Sequence, residues 1–510
     1  MNDDRKRGDD PQLSRRRFLG QASCAAVGTT ALFNTVLNMG MFNSLAAPGA
    51  PGYKGLVCLF LGGGIDSFNM LVPRGPAEYA EYAAARADLA LAVDTLLPIV
   101  PATSDGREYG LHAGLPELQA LFEQGNLALV ANVGTLVEPT TLQQFQNRSV
   151  ALPLGLFSHS DQAMHWQTSV PDQRTAVGWG GRMADVLQAG NCNQNISMNI
   201  SLSGSNVFQS GNLTAHYTIG PEGSQGLRDY GETTPDALVR TEAIDGLLGL
   251  TYHNVFEKTF AARMRSAIDA HVEFSAAIEG LAPLQTVFSN TGLSQRFRMI
   301  AQTIAAREAL GMSRQTFFVM AGGWDHHDEV IVNQEAMLPV ISQALGEFYS
   351  ALEEIGVADD VVTFTASDFG RTLSSNGRGS DHAWGGNHLV LGGSVAGGEI
   401  YGQFPPLYLG NPLDVNRGRM IPTTSVDEYF AEMALWFGVP STDLELVLPN
   451  IARFYSPGSA TPPIGFLPAG AAAPSGTGGI RRMSDRASRR GTTSAAPAQP
   501  RTPRPRGWRR

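Results

Sequence analysis

Four apolar runs, each rich in β-branched and aromatic residues and each stopping at glycine or other small residues before a polar cluster, constrain the fold most. They are "GLVCLFL", with "GGGIDS" behind it and a strand expected over 55–61, "NLALVANVG" (126–134), "QTFFVMAGGWDHH" (315–327) and "DVVTFTASDFGRT" (360–372). A run that is apolar at consecutive positions is buried on both faces, as parallel strands are when helices cover a sheet. Helical spacing fills the intervals at 78–92, 115–124, across 251–310, and at 329–355, where Leu338, Ile341, Leu345, Phe348 and Leu352 recur. Strands alternating with helices predict an α/β fold: a largely parallel sheet flanked by helices, with its chemistry along the carboxyl edge of the strands.

Residues 140–235 break this rhythm. They are rich in Asn, Gln, Ser and Gly, with short alternating stretches, and read as an inserted cap. The two ends differ again. Residues 1–46 have a basic start, a weakly apolar middle and a small-residue exit at Ser44-Leu45-Ala46, the pattern of a signal peptide. Ser14-Arg15-Arg16 followed by Phe18-Leu19 resembles the twin-arginine export motif, which implies passage through that export machinery and a periplasmic or extracellular protein. Gly28, Asn34, Asn38 and Gly40 interrupt the leader, so no permanent membrane span is expected there. Residues 457–510 are Pro, Ala, Gly, Ser and Arg with few large apolar side chains and read as a disordered basic tail. That leaves 47–456 as the folded domain.

The net charge is -10, but residues 1–46 carry +2 and residues 457–510 carry +9, so removing both leaves -21 on the body. A body so acidic argues against nucleic acid as a partner and accords with cation binding. Three cysteines cannot build a disulfide framework, and Cys58 within "LVCLFL" reads as a buried thiol.

Four polar clusters follow the predicted strands or glycine turns. These are Asp66-Ser67 with Asn69; Ser158-His159-Ser160-Asp161 with His165; Asp325-His326-His327-Asp328; and Asp368, Arg371, Asp381, His382 and His388. Carboxylates and neutral imidazoles gathered from several strand ends suit Zn, Mn or Ca, and an arginine fork suits a planar anion such as phosphate or sulfate. Each cluster also has a plainer reading. Asp66 and Asp325 could cap helices, Asp368 with Arg371 could be an internal salt bridge, and His159 and His165 read as packing histidines. His112, His216, His253 and His271 lie outside these clusters and read as structural.

"GGGIDSFNMLVP", "SHSDQAMHWQT" with "GWGGRMAD", "GGWDHHDE", and "SDFGRTLSSNGRGSDHAWGGNHLVLGG" with "GGEIYGQFP" resemble the DUF1501 family of exported bacterial proteins across roughly residues 50–455. That family is similar to the alkaline phosphatase and sulfatase superfamily. The resemblance implies an alkaline-phosphatase-like three-layer sandwich with metal ligands at strand ends: Asp66, Asp325, His327, Asp368, and His382 or His388. It places a sought nucleophile at Ser158 and an anion grip at Arg371. Two features depart from the superfamily: Asp325 and His327 stand two apart where its phosphatases have four, and Phe369 stands where they have a histidine. The expectation is an exported hydrolase of a phosphate or sulfate ester that uses a divalent metal. The alternative is a non-catalytic secreted or surface-associated protein that keeps the fold and binds a partner or a glycan.

Overall fold

The computed structural model describes residues 52–468; the leader, its exit site and, of the tail expected to be disordered over 457–510, the part beyond Pro468 lie outside the described residues, whereas Phe466 and Leu467 of that segment are buried in a core and the Leu467 N–H donates to Glu432. In chain order the strands are β1 (Lys54–Gly62), β2 (Leu71–Pro73), β3 (Leu97–Ile99), β4 (Tyr109–Leu111), β5 (Leu127–Gly134), β6 (Asn199–Ser201), β7 (Tyr217–Thr218), β8 (Arg314–Gly322), β9 (Val361–Ser367), β10 (Gly386–Leu391), β11 (Glu399–Tyr401) and β12 (Thr424–Ser425). The helices are α1 (Pro76–Arg86), α2 (Pro116–Glu123), α3 (Leu142–Asn147), α4 (His159–Thr168), α5 (Trp179–Leu187), α6 (Pro235–Leu248), α7 (Val255–Glu279), α8 (Gly292–Ala305), α9 (Val330–Glu354), α10 (Val426–Phe437) and α11 (Leu444–Val447).

Nine strands form the main sheet in the order β11-β5-β10-β9-β1-β8-β6-β7, with β12 also paired to β5. β10 runs antiparallel to both of its neighbours, and every other pairing in this sheet is parallel. β2, β3 and β4 make a separate antiparallel sheet. The four runs read from the sequence are β1, β5, β8 and β9; β8 stops at Gly322, leaving Trp324 to His327 in the loop beyond it.

The alternation along β1 shows why such runs are apolar throughout. Val57, Leu59 and Leu61 enter a core with Phe297 of α8 and Leu345 and Phe348 of α9, whereas Leu56, Cys58 and Phe60 enter a second core with Trp179 of α5 and Tyr429 and Phe430 of α10. Successive side chains of a strand point to opposite faces, so a helix layer on each face demands apolar residues at both. The result is a three-layer α/β/α sandwich. Residues 140–235, read as an inserted cap, supply α4 and α5 to the second face and lend β6 to β8 as a parallel neighbour. Among the described residues no helix is long and apolar enough to cross a membrane.

Topology gathers the polar clusters. β1 lies between β8 and β9, and all three end at the same edge. Two glycines make this edge close-packed: Gly63 (φ 120°) would set a Cβ 2.5 Å from the Asp325 amide nitrogen, and Gly64 (φ 81°) would set one 2.4 Å from the Phe369 ring. Any side chain there would push the three strand-end loops apart, which is the physical reason for the glycines in "GGGIDS".

Candidate metal centre

The loop after β9 folds back on itself before entering β10. Thr372 N–H donates to Asp381 O (2.9 Å), Ala383 N–H to Gly370 O (2.9 Å) and Gly370 N–H to Trp384 O (3.0 Å). This returns Asp381 and His382 to the end of β9, beside Asp368. The loop after β8 brings Asp325 and His327 to the same place, and α4 delivers His159 from its first turn.

Four donor atoms converge there. His382 Nε2 lies 3.0 Å from His159 Nε2, 2.9 Å from His327 Nε2 and 3.2 Å from Asp325 Oδ1. Asp325 Oδ1 is 3.4 Å from His159 Nε2 and 3.1 Å from His327 Nε2. The donor atoms of His159, Asp325 and His382 all lie within 4.8 Å of one another. The Asp325 and His327 side chains are 45% and 44% exposed, so the cluster opens to solvent on one side.

The tautomers follow from the partners on the other side of each ring. His382 Nδ1 is 2.8 Å from the Phe157 carbonyl, which can only accept, so Nδ1 carries the proton. His159 Nδ1 lies 2.6 Å from Asp368 Oδ2, and His327 Nδ1 lies 3.0 Å from Asp381 Oδ1. Burial works to raise the Asp381 carboxyl, but hydrogen bonds from Asn376, Arg417 and His327 overturn it and hold it down at about 2, so it too only accepts. In the neutral rings the Nε2 atoms of His159 and His327 therefore each present a lone pair to that of His382, at 3.0 and 2.9 Å. Such an arrangement repels unless a cation sits among them, and an extra proton can serve only one pair. A metal ion serves all of them at once. At metal–ligand bonds of about 2.0–2.1 Å, tetrahedral ligands stand about 3.4 Å apart, close to the spacings found here. A second shell of carboxylates and a carbonyl fixing the imidazole tautomers is the arrangement metal sites use.

Charge supports the same reading. Burial pushes the Asp325 carboxyl up, yet the Arg371 hydrogen bond and charge, with His159 and His327, bring it below its usual range, so it is ionised near neutrality. Burial, with the charges of His159 and Arg371, depresses His382 despite the Phe157 carbonyl, which favours the neutral ring a metal needs.

Of the residues singled out in the sequence, Asp325, His327 and His382 meet in this cluster and Asp368 stands directly behind His159. Asp66 does not reach it: its Oδ2 pairs with Arg86 at 2.7 Å in a fully buried ion pair and accepts from Ser380 Oγ at 3.1 Å. His388 lies on β10, its ring tilted against Trp166 with centroids 4.5 Å apart and Thr365 Oγ1 at 3.2 Å, and complete burial drives its ring down to about 3. Arg371 is sealed from solvent, donating to the carbonyls of Gly63, Gly64, Trp324 and Ser380 and to Asp325, so it ties three loops together with no fork left for a substrate. Ser158 is the residue before α4; it makes no side-chain cap, and its Oγ meets Ser160 Oγ at 3.1 Å. His159 was read as a packing histidine, yet it is central to the cluster. The signal for it was the "SHSDQ" segment, a histidine beside a helix start.

A covered, largely parallel sheet with an imidazole-rich cluster at its carboxyl edge defines an α/β/α protein with a candidate metal centre. Residues 53–417 match the DUF1501 family, described as "Protein of unknown function", and the chain belongs to that family. No curated protein sequence matches it. Among solved structures it is similar to the lipoteichoic acid synthase LtaP from Listeria monocytogenes (8% identity, 81% of each chain, TM-score 0.32). It is also similar to the PsFucS1 sulfatase from Pseudoalteromonas sp. (11% identity, 78% of this chain and 70% of that one, TM-score 0.31) and to a mutant of the alkaline phosphatase PafA (10% identity, 63% and 64%, TM-score 0.23).

Proposed function

We propose that this chain is an exported, metal-dependent hydrolase of a phosphate or sulfate ester. The observation that carries the reading is the convergence of His159, Asp325 and His382 donor atoms, with His327 Nε2 beside His382 and Asp325, each imidazole with its Nδ1 proton committed elsewhere. Three imidazoles with one carboxylate suit zinc or manganese; calcium, which takes six to eight oxygen ligands, suits them poorly. A divalent ion bound there would polarise an ester and make a coordinated water acidic near neutral pH. Asp325 supplies the negative charge of the set, Asp368 and Asp381 hold two rings in the productive tautomer, and the Ser158 hydroxyl stands next to His159 as a polar group on the rim. The leader supports export and a periplasmic or extracellular site of action.

The Phe369 ring packs 4.7 Å from His159 and 4.6 Å from His382, at the position after Asp368 where the resemblance to the phosphatases would put a histidine. That favours one ion over two. It is also the observation that favours the rival reading, a binding protein that keeps the fold.

The test is hydrolysis of aryl phosphate and aryl sulfate esters by the full chain, first stripped by a chelator and then reloaded with zinc or manganese. The proposal expects turnover that disappears on stripping, returns on reloading and is absent in His382→Ala. A metal-loaded protein inert to both ester classes would instead leave the binding-protein reading standing.

A further inference from the structure

With Arg371 sealed, the role of gripping an anion falls to another side chain. The arginines around the cluster differ in what they have left to give. Arg417 donates to Asp381 Oδ2 at 2.5 Å, and Arg378 pairs with Asp328 at 3.1 Å. Arg419 uses Nε alone, donating to the His382 carbonyl at 2.8 Å. Its terminal Nη1 and Nη2 groups have no partner among the described residues, and neither belongs to the sealed, unsatisfied atoms of the interior. The guanidinium lies over the Phe157 ring at 4.9 Å.

Phe157 is the hinge of this arrangement. Its φ of 73° places a bulky aromatic residue in the left-handed region, where such residues are rare and strained. From that conformation its carbonyl meets His382 Nδ1 and its ring underlies Arg419. Both contacts touch the two ends of one relationship: Arg419 holds the His382 backbone, and Phe157 holds the His382 ring. A strained residue that aligns an imidazole of the cluster and also seats an arginine with a free fork is hard to explain by packing alone.

We propose that Arg419 forms the oxyanion subsite of this centre, its Nη1 and Nη2 gripping two oxygens of the phosphate or sulfate group of an ester. A planar fork fits two oxygens of a tetrahedral oxyanion in bidentate fashion, and a weakly hydrated guanidinium does so better than an ammonium. The inference rests on the ester-hydrolase reading and adds to it the residue that recognises the anion.

The experiment is calorimetric titration of inorganic phosphate, and separately of sulfate, into the zinc-loaded full chain and its Arg419→Met and Arg419→Lys variants, with the metal content of each measured. The wild type is expected to bind at least one of the two, and the oxyanion it prefers names the ester class. Arg419→Met should bind it at least tenfold more weakly and Arg419→Lys to an intermediate degree, all three holding the same amount of metal. Equal affinity in Arg419→Met and wild type would overturn the subsite, as would a wild type that binds neither oxyanion. The two proposals fail separately: oxyanion binding that depends on Arg419 without ester turnover defeats the hydrolase, whereas turnover with unchanged oxyanion affinity in Arg419→Met defeats the subsite.

Discussion

Asp368→Asn tests whether the carboxylate behind His159 orients a metal ligand. The side chain is nearly buried, and its Oδ2 accepts from His159 Nδ1 at 2.6 Å, a short, charge-assisted hydrogen bond. Asparagine keeps the shape but loses the charge. Its amide group can also present N–H to Nδ1, which favours the tautomer that puts the proton on Nε2, inside the cluster. Both effects weaken the same ligand atom. Loss of a carboxylate of this kind costs metal affinity by about 10–100-fold, which is about 1.4–2.8 kcal/mol at 1.4 kcal/mol per factor of ten. The assay is zinc titration of the full chain against a chromophoric competing chelator near pH 7.5. The variant should still bind the wild-type number of ions, each more weakly by that factor. Affinity within twofold of wild type would refute the orienting role of Asp368 and with it the tautomer argument for His159.

Three further outcomes are expected. Asp427 is fully enclosed, and burial pushes its carboxyl up to about 7 despite the Ser169 hydrogen bond and the Arg182 charge. The folded protein thus holds this proton more tightly than the unfolded chain, whose carboxyl ionises near about 4, so its stabilisation is complete below about pH 4 and is lost as the pH rises through about 7, by up to about 1.4 kcal/mol per pH unit. Urea denaturation of Asp427→Asn should show a flatter decline over that range than wild type, and equal slopes would count against the buried proton. Asp66→Ala strands Arg86 as an unpaired buried charge and should cost about 3–5 kcal/mol in urea denaturation, with the metal content of folded protein unchanged; metal loss would return Asp66 to the ligand set. His388→Ala should cost about 2–4 kcal/mol through the cavity it leaves under Trp166, and its metal content, read by elemental analysis, should equal that of wild type.

The strands that build the centre of the sheet were legible because burial on both faces leaves uninterrupted apolar runs, as in β1, β5, β8 and β9. The short strands were not. β6, β7, β11 and β12 have two or three residues each, too few for a period, and exist because a neighbour offers backbone partners. β10 was hidden within a segment noticed for its polar residues, and its antiparallel course comes from the fold-back after Asp368. In the site, type and sequence position located Asp325, His327 and His382, since each follows a strand end. Facing could not be read in the same way. His388 is six residues beyond His382, but by then the chain has entered β10, and its ring turns into the core against Trp166. Asp66 follows β1 as Asp325 follows β8, yet Arg86 of α1 claims it. His159 was missed because its elements meet the sheet only in three dimensions: Asp368 is 209 residues away and His382 is 223.

The central claim is that His159, His327, His382 and Asp325 hold a metal ion. Elemental analysis of the full chain, purified without chelators, tests it most directly when set beside His159→Ala. The account predicts about one equivalent of zinc or manganese per wild-type chain and a near-complete loss in the folded variant. A metal-free wild type, or a His159→Ala protein that keeps its full complement, would contradict it.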